Sequence, residues 1–116
     1  MNGHGTHVAG TIGSATYGVA KRSTLIAVKV LSDSGSGYLS DVIAGIEWAV
    51  NNATASKRIG KSVMNLSLGS AKSQIVNDAI SAAVRAGMVC SPRKLLICSS
   101  LTIDIVRCSG GRQQWR

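Results

Sequence analysis

Two β-branched apolar runs constrain this chain more than any other feature. Residues 24–31 read Thr-Leu-Ile-Ala-Val-Lys-Val-Leu, and residues 63–68 read Val-Met-Asn-Leu-Ser-Leu before Gly69 stops the run. Runs of this kind suit strands buried on both faces of a parallel sheet. Between them Leu39, Val42, Ile43, Ile46, Ala49 and Val50 recur at spacings of three and four, which predicts an amphipathic helix ended by Asn51-Asn52. Beyond the second run, Ile75, Ala79, Ala82, Ala83 and Ala86 form another helical stripe, and Gly87 sits where a C′ glycine belongs. Ahead of the first run, residues 4–13 are small, with Val8 and Ile12 on one face of a short helix. Gly5 and Gly10 weaken that helix, and make sense there where another backbone packs close. The predicted elements are helices over 4–13, 39–51 and 73–86 and strands over 24–31 and 63–68. Strands alternating with helices imply an α/β fold with right-handed crossovers on a parallel sheet.

The pattern breaks after Val89. A third strand should begin at Met88-Val89, but Cys90-Ser91-Pro92-Arg93-Lys94 interrupts it. Residues 95–98 and 101–106 read as short strands, and the ending Gly110-Gly111-Arg112-Gln113-Gln114-Trp115-Arg116 has no periodicity. All three cysteines, Cys90, Cys98 and Cys108, fall in this last stretch. Their number is odd, their spacing is not Cys-x-x-Cys and no histidine is near, so no zinc site is expected.

The net charge of +8 divides in the same place. Residues 1–89 hold eight Lys+Arg and four Asp+Glu, whereas residues 90–116 hold five and one. Only Lys57, Arg58 and Lys61 cluster before the tail, and they read as a solvated surface. No basic face interleaves with aromatics, which excludes a nucleic-acid reader. No apolar run is long enough to cross a bilayer. The first residues carry neither a basic n-region nor an apolar h-region, so no signal peptide is read there.

His4 and His7 are the only histidines, three apart at the head of the first helix. A metal site needs a third ligand, which no neighbour supplies, so no metal and no cofactor are expected. A histidine at a helix start beside glycines can serve instead as a general base, although from spacing alone a structural role is the better fit.

The segment Asn2-Gly3-His4-Gly5-Thr6-His7-Val8-Ala9-Gly10-Thr11-Ile12-Gly13 resembles the histidine block of the subtilisin-like serine proteases. Tyr17-Gly18-Val19-Ala20-Lys21, residues 25–31, Gly35-Ser36-Gly37, Ile43-Ala44-Gly45-Ile46 and Asn65-Leu66-Ser67-Leu68-Gly69 follow in family order and resemble its proteinase K-like branch. The resemblance covers about residues 2–89. It implies a partial subtilisin-like peptidase domain over 1–89, an incomplete α/β domain with a partial parallel sheet. It also implies peptide-bond hydrolysis through a Ser/His/Asp triad, a polypeptide substrate, a monomer and secretion. By position His4 would be the triad base, and His7, which the family does not use as base, a packed helix residue. Gly35, Ser36 and Gly37 on one side and Ser67, Leu68 and Gly69 on the other would flank an extended substrate, pairing with it as an added strand.

The resemblance also implies parts that this sequence does not contain. The family's triad Asp lies in a strand before the histidine block. Asp33 and Asp41 fall after it, at a surface loop and a helix start. The nucleophile block Gly-Thr-Ser-Met-Ala and the Val-Ala-Ala-Gly-Asn segment with its oxyanion asparagine have no counterpart, and no helix pattern follows Ser109. Two readings stand side by side: a serine endopeptidase represented by its His block, and a truncated product with no catalytic function.

Residues 90–116 are expected to be translation through a retained intron and then out of frame, unable to complete the sheet, with a divergent loop and strand as the alternative. Val89-Cys90 can be encoded by GTATGT, a common intron start. Arg107-Cys108-Ser109-Gly110-Gly111 can be back-translated so that a one-base shift reads Val-Ala-Ala-Gly. Sequencing transcripts across the Val89 codon should reveal a shorter spliced form restoring Val-Ala-Ala-Gly; transcripts that all continue into Cys90 would rule this origin out.

Overall fold

The structure, a computed structural model, describes residues 2–67, 69, 73–92 and 103–107. The element order is α1 (His4–Gly13), β1 (Thr24–Val28), α2 (Leu39–Ala55), a single 3₁₀ turn (Ile59–Lys61), β2 (Ser62–Leu66), α3 (Gln74–Arg85), β3 (Val89–Pro92) and β4 (Ile103–Arg107). The sheet runs in the order β1-β4-β2-β3. β2 pairs with β3 in parallel, as a strand–helix–strand unit requires. β4 lies between β1 and β2 and is antiparallel to both, so β1 and β2 run parallel to each other with one strand between them.

The α/β class therefore stands, with two corrections. β1 has no parallel neighbour among the described strands; its ladder is the antiparallel one with β4. The stretch after Val89 also does more than expected. β3 continues through Cys90 and Ser91 to Pro92 at the edge of the sheet, where a proline is tolerated because one side needs no ladder partner. Residues 103–107 take a central place, bonded on both sides. The inner backbone groups of β1 and β2 need partners, and an extended apolar segment supplies them. The predicted strand at 95–98, Cys98, Cys108 and Ser109 lie outside the described residues.

The layers follow from side-chain alternation along the strands. Met64 and Leu66 of β2 are buried with Val42, Ile46, Ala49 and Ala53 of α2 and Ala83 of α3, and Ile26 and Val28 of β1 pack against that cluster. Leu25, on the opposite face of β1, meets α1: a Cβ added to Gly13 would lie 3.0 Å from Leu25 Cδ1. The sheet is thus covered by α2 and α3 on one face and by α1 on the other.

Helix boundaries moved where burial outweighed local composition. α2 continues through Asn51-Asn52 because Ala53, fully buried, extends the 42–46–49 stripe by one more turn. In α3 the half-buried Val76, Ala79 and Ile80 and the buried Ala83 face the core, while Ile75 is 65% exposed. The larger side chains at 76 and 80 set the rotation of the helix, not the alanine-rich stripe. Gly10 has nothing within 4 Å of an added Cβ, so no backbone packs against it. A tightly packed glycine is instead Gly18, whose Cβ would fall 2.3 Å from Ser14 N.

Both long helices end in the same motif. In α3, Gly87 has φ 97°, with Gly87 N donating to Val84 O at 2.9 Å and Met88 N to Ala83 O at 3.1 Å. In α2 the equivalent position is Lys57, at φ 54°, with Lys57 N donating to Thr54 O at 2.9 Å and Arg58 N to Ala53 O at 2.9 Å. A side chain in the left-handed region costs about 1–2 kcal/mol. Lys57→Gly should therefore stabilise the chain by about 1 kcal/mol, net of the added unfolded-state entropy, in urea unfolding followed by far-UV circular dichroism.

Candidate active site

Gly3, at φ 80°, turns the chain into α1, and His7 N donates to Gly3 O at 3.0 Å. His4 is the first helical residue and is half-buried. Its Nδ1 is closed off from solvent and has no hydrogen-bond partner among the described residues. His7 is exposed, which corrects its expected packing. α1 packs on β1 and β4. Its last residue, Gly13, sits over the start of β1 at Leu25. A ten-residue helix is about 15 Å long, close to the length of a five-residue strand. His4 stands at the opposite end of α1 from this contact.

The expected substrate-flanking segments follow the carboxyl ends of the parallel strands β1 and β2. The loop after β1 is ordered by its serines. Ser32 N donates to Ser36 O at 2.9 Å and Gly35 N to Ser32 O at 3.0 Å. The Ser34 hydroxyl lies 2.7 Å from that of Ser32 and 2.9 Å from that of Ser36. Gly35 takes φ 84°, the left-handed conformation this turn needs. Ser36 and Gly37 line an open cleft of about 360 Å³ together with Val30, Leu31, Tyr38 and Asp41. Strand β1 stops at Val28, short of the predicted residue 31, yet Val30 and Leu31 remain buried because they pack inward under this loop. The serine cluster was missed in the sequence, although hydroxyls at alternate positions of a glycine-rich loop were its available signal.

On the other side, Ser67 follows β2, half-buried, and its hydroxyl accepts from Asn65 Nδ2 at 2.9 Å. Gly69 is exposed, and Leu68 lies outside the described residues. With β4 between them, β1 and β2 stand two strand spacings apart, roughly 9–10 Å. An extended peptide paired on both sides needs that separation.

The other titratable groups contribute little. Asp33 pairs with Lys29 at 3.3 Å, with both side chains exposed, an arrangement worth little. Asp41 is exposed in the first turn of α2, where a carboxylate favours the helix. Burial pushes the Cys90 thiol up, which keeps it protonated and a poor nucleophile. Among the described residues no group of three His, Cys, Asp or Glu side chains could hold a metal ion, and no helix is long and apolar enough to cross a membrane.

Comparison with known proteins adds a family to this geometry. The profile described as the Subtilase family matches residues 1–102. A subtilisin-like protease of Coccidioides posadasii (strain C735) is 59% identical over 87 residues, covering 75% of this chain and 22% of that protein. Subtilisin-like protease 3 of Arthroderma benhamiae is 54% identical over 87 residues, with the same two shares. Subtilisin-like protease 9 of Arthroderma otae is 55% identical over 88 residues, or 76% and 22%. The chain thus spans about a fifth of the length of these relatives.

The floor of the cleft leaves no room at Gly37. A Cβ there would lie 2.5 Å from Leu31 Cδ2 and 2.7 Å from Val30 O. Gly37→Ala should cost about 1–3 kcal/mol, the usual penalty of overpacking. Gly10→Ala, with open space, should be neutral or stabilising by up to about 1 kcal/mol. Thermal unfolding of the two variants beside the parent chain measures both.

Proposed function

The chain belongs to the subtilase family, and on that premise we propose that it carries the histidine arm of a subtilisin-like serine endopeptidase. His4 is the general base. It takes the proton of a serine hydroxyl as that oxygen attacks the peptide carbonyl, and returns it to the leaving amine when the acyl-enzyme forms. One observation carries this reading. The buried Nδ1, without a partner among the described residues, stands at the head of α1. A base working through Nε2 needs its Nδ1 held by a partner within the protein, and a solvated surface histidine has no use for a buried Nδ1.

The substrate is a polypeptide in extended form, lying between Gly35-Ser36-Gly37 and Ser67-Leu68-Gly69 and pairing through its backbone. That specificity rests on main-chain groups, so the segments need small residues and order more than particular side chains. Secretion follows the analogy with the fungal relatives.

A second reading is favoured by the sequence itself. These 116 residues hold no Gly-Thr-Ser-Met-Ala block and no Val-Ala-Ala-Gly-Asn segment. Without nucleophile and oxyanion donors the covalent route is closed, and the polypeptide by itself is a catalytically inactive product. The purified chain should hydrolyse neither casein nor peptide anilides above buffer, and a serine-directed fluorophosphonate should leave it unlabelled. Stoichiometric labelling of any serine would overturn the inactive reading. In a full-length protein that contains this block, replacing the residue at His4 by alanine should lower kcat by at least about 10²–10⁴-fold while leaving the unfolding midpoint in place. Retained turnover would remove His4 from the base role.

A further inference from the structure

Two asparagines of this chain open an Asn-x-Ser/Thr triplet: Asn52-Ala53-Thr54 and Asn65-Leu66-Ser67. In secreted proteins that triplet accepts N-linked glycans, provided the sugar can occupy a surface position. The fold treats the two triplets differently. Asn65 lies within β2, which is bonded to β3 on one side and to β4 on the other. It is half-buried, and its Nδ2 donates to Ser67 Oγ at 2.9 Å. A glycan there would have to rise out of the middle of the sheet, from a nitrogen already engaged with Ser67.

Asn52 is placed otherwise. It stands in the last turn of α2, half-buried at the flank of the stripe that ends in Ala53. Asn51, Thr54, Ala55 and Ser56 around it are exposed. Residues four apart share a helix face, and Trp48, one turn before Asn52, is 48% exposed. Among the described residues, then, this flank of α2 is left open. The backbone beneath it is ordered, since Asn52 O accepts from Ser56 N at 3.1 Å and from Ser56 Oγ at 2.8 Å. The position is also remote from the candidate site. α2 covers the sheet face away from α1, and Asn52 lies about 16 Å along the helix from Asp41, which lines the cleft.

We propose that Asn52 is an N-glycosylation site, with a lipid diphosphate-linked oligosaccharide as the donor. The bond from Asn52 Nδ2 to C1 of the first sugar forms, and the bond from that C1 to the diphosphate oxygen breaks. The lipid diphosphate leaves with the electron pair, and the amide nitrogen gives up one of its two protons. Transfer takes place on the emerging chain, before α2 forms, so the folded helix has only to hold the product. The exposed flank at the carboxyl end of α2 does so without displacing a core residue. This rests on the proposed secretion, because the donor and the transferase belong to the secretory pathway.

The test is translation of the 116-residue chain behind a cleavable signal peptide in the presence of endoplasmic-reticulum microsomes. Only chains that have lost the signal and resist added protease are read. They should contain a slower-migrating form that endoglycosidase H collapses. Asn52→Gln and Thr54→Ala should each lose one glycan, Thr54→Ser should keep it, and Asn65→Gln should leave the Asn52 glycan in place. Imported parent chains without a glycan overturn the proposal, and so does a glycan count that Asn52→Gln leaves unchanged. Because transfer precedes folding, a variant that folds poorly reports as faithfully as the parent. Neither result bears on secretion itself, which is decided by whether the full-length protein is found outside the cell.

Discussion

One strand shared by two others holds this molecule together. β1 and β2 each present an inner edge of backbone donors and acceptors, and β4 meets both over five register positions. Without it β1 has no ladder among the described strands, and the sheet shrinks to the β2–β3 pair. Exposed edges invite foreign strands, and buried unpaired amides cost about 1–3 kcal/mol each. An extended apolar segment from the same chain is the nearest remedy. Direction matters less than reach in that choice, since an antiparallel ladder is at least as stable as a parallel one.

The geometry of the candidate site descends from that arrangement. The crossover through α2 brings β2 back parallel to β1, but one strand away from it. The two loops that follow these strands are thereby set apart by the width of an inserted strand. α2 fixes the spacing from beneath, since Val42, Gly45, Ile46, Ala49 and Ala53 are all buried. The loop after β1 is tied by its serine hydroxyls and by Val30 and Leu31 beneath it, so Gly37 packs against the Leu31 side chain and the Val30 carbonyl. Order in that loop comes from packing as much as from hydrogen bonds.

The fold was legible where periodicity and burial agree. α1, α2, α3 and the cores of β1 and β2 could be read from the spacing of apolar residues, and the family from its ordered motifs. Positions failed where burial overruled a local preference. Asn51-Asn52 reads as a stop, yet Ala53 is fully buried and carries α2 another turn. Val76 and Ile80 outweigh a stripe of alanines. The strand partner of β1 was not legible. Isoleucine and valine at 103, 105 and 106 mark a β-prone run, but nothing local says which edge it will join or in which direction. Pairing between residues so far apart in sequence is decided by which edges the rest of the chain leaves open. The buried Nδ1 of His4 was equally hidden, because a histidine beside glycines looks the same in sequence whether its ring is solvated or enclosed.

The placement of His4 poses a mechanical question that the packing answers only in part. α2 buries five residues, whereas α1 buries none. What fastens α1 lies near its carboxyl end: Gly13 against Leu25, Val19 N donating to Thr11 O at 3.2 Å, Ala20 N to Ile12 O at 2.7 Å, and Gly18 N to Ser14 O at 3.0 Å. The histidine sits at the other end, about 13 Å along the helix axis at 1.5 Å per residue. A helix fastened at one end pivots there, and small tilts become the largest displacements at the far end. For the proposed role of His4 as a base, its geometry must hold to within about half an ångström. No residue of α1 is fully buried, so a directional bond at the head of the helix would serve that role better than packing alone. His4 Nδ1, enclosed and without a hydrogen-bond partner among the described residues, is a group able to make it.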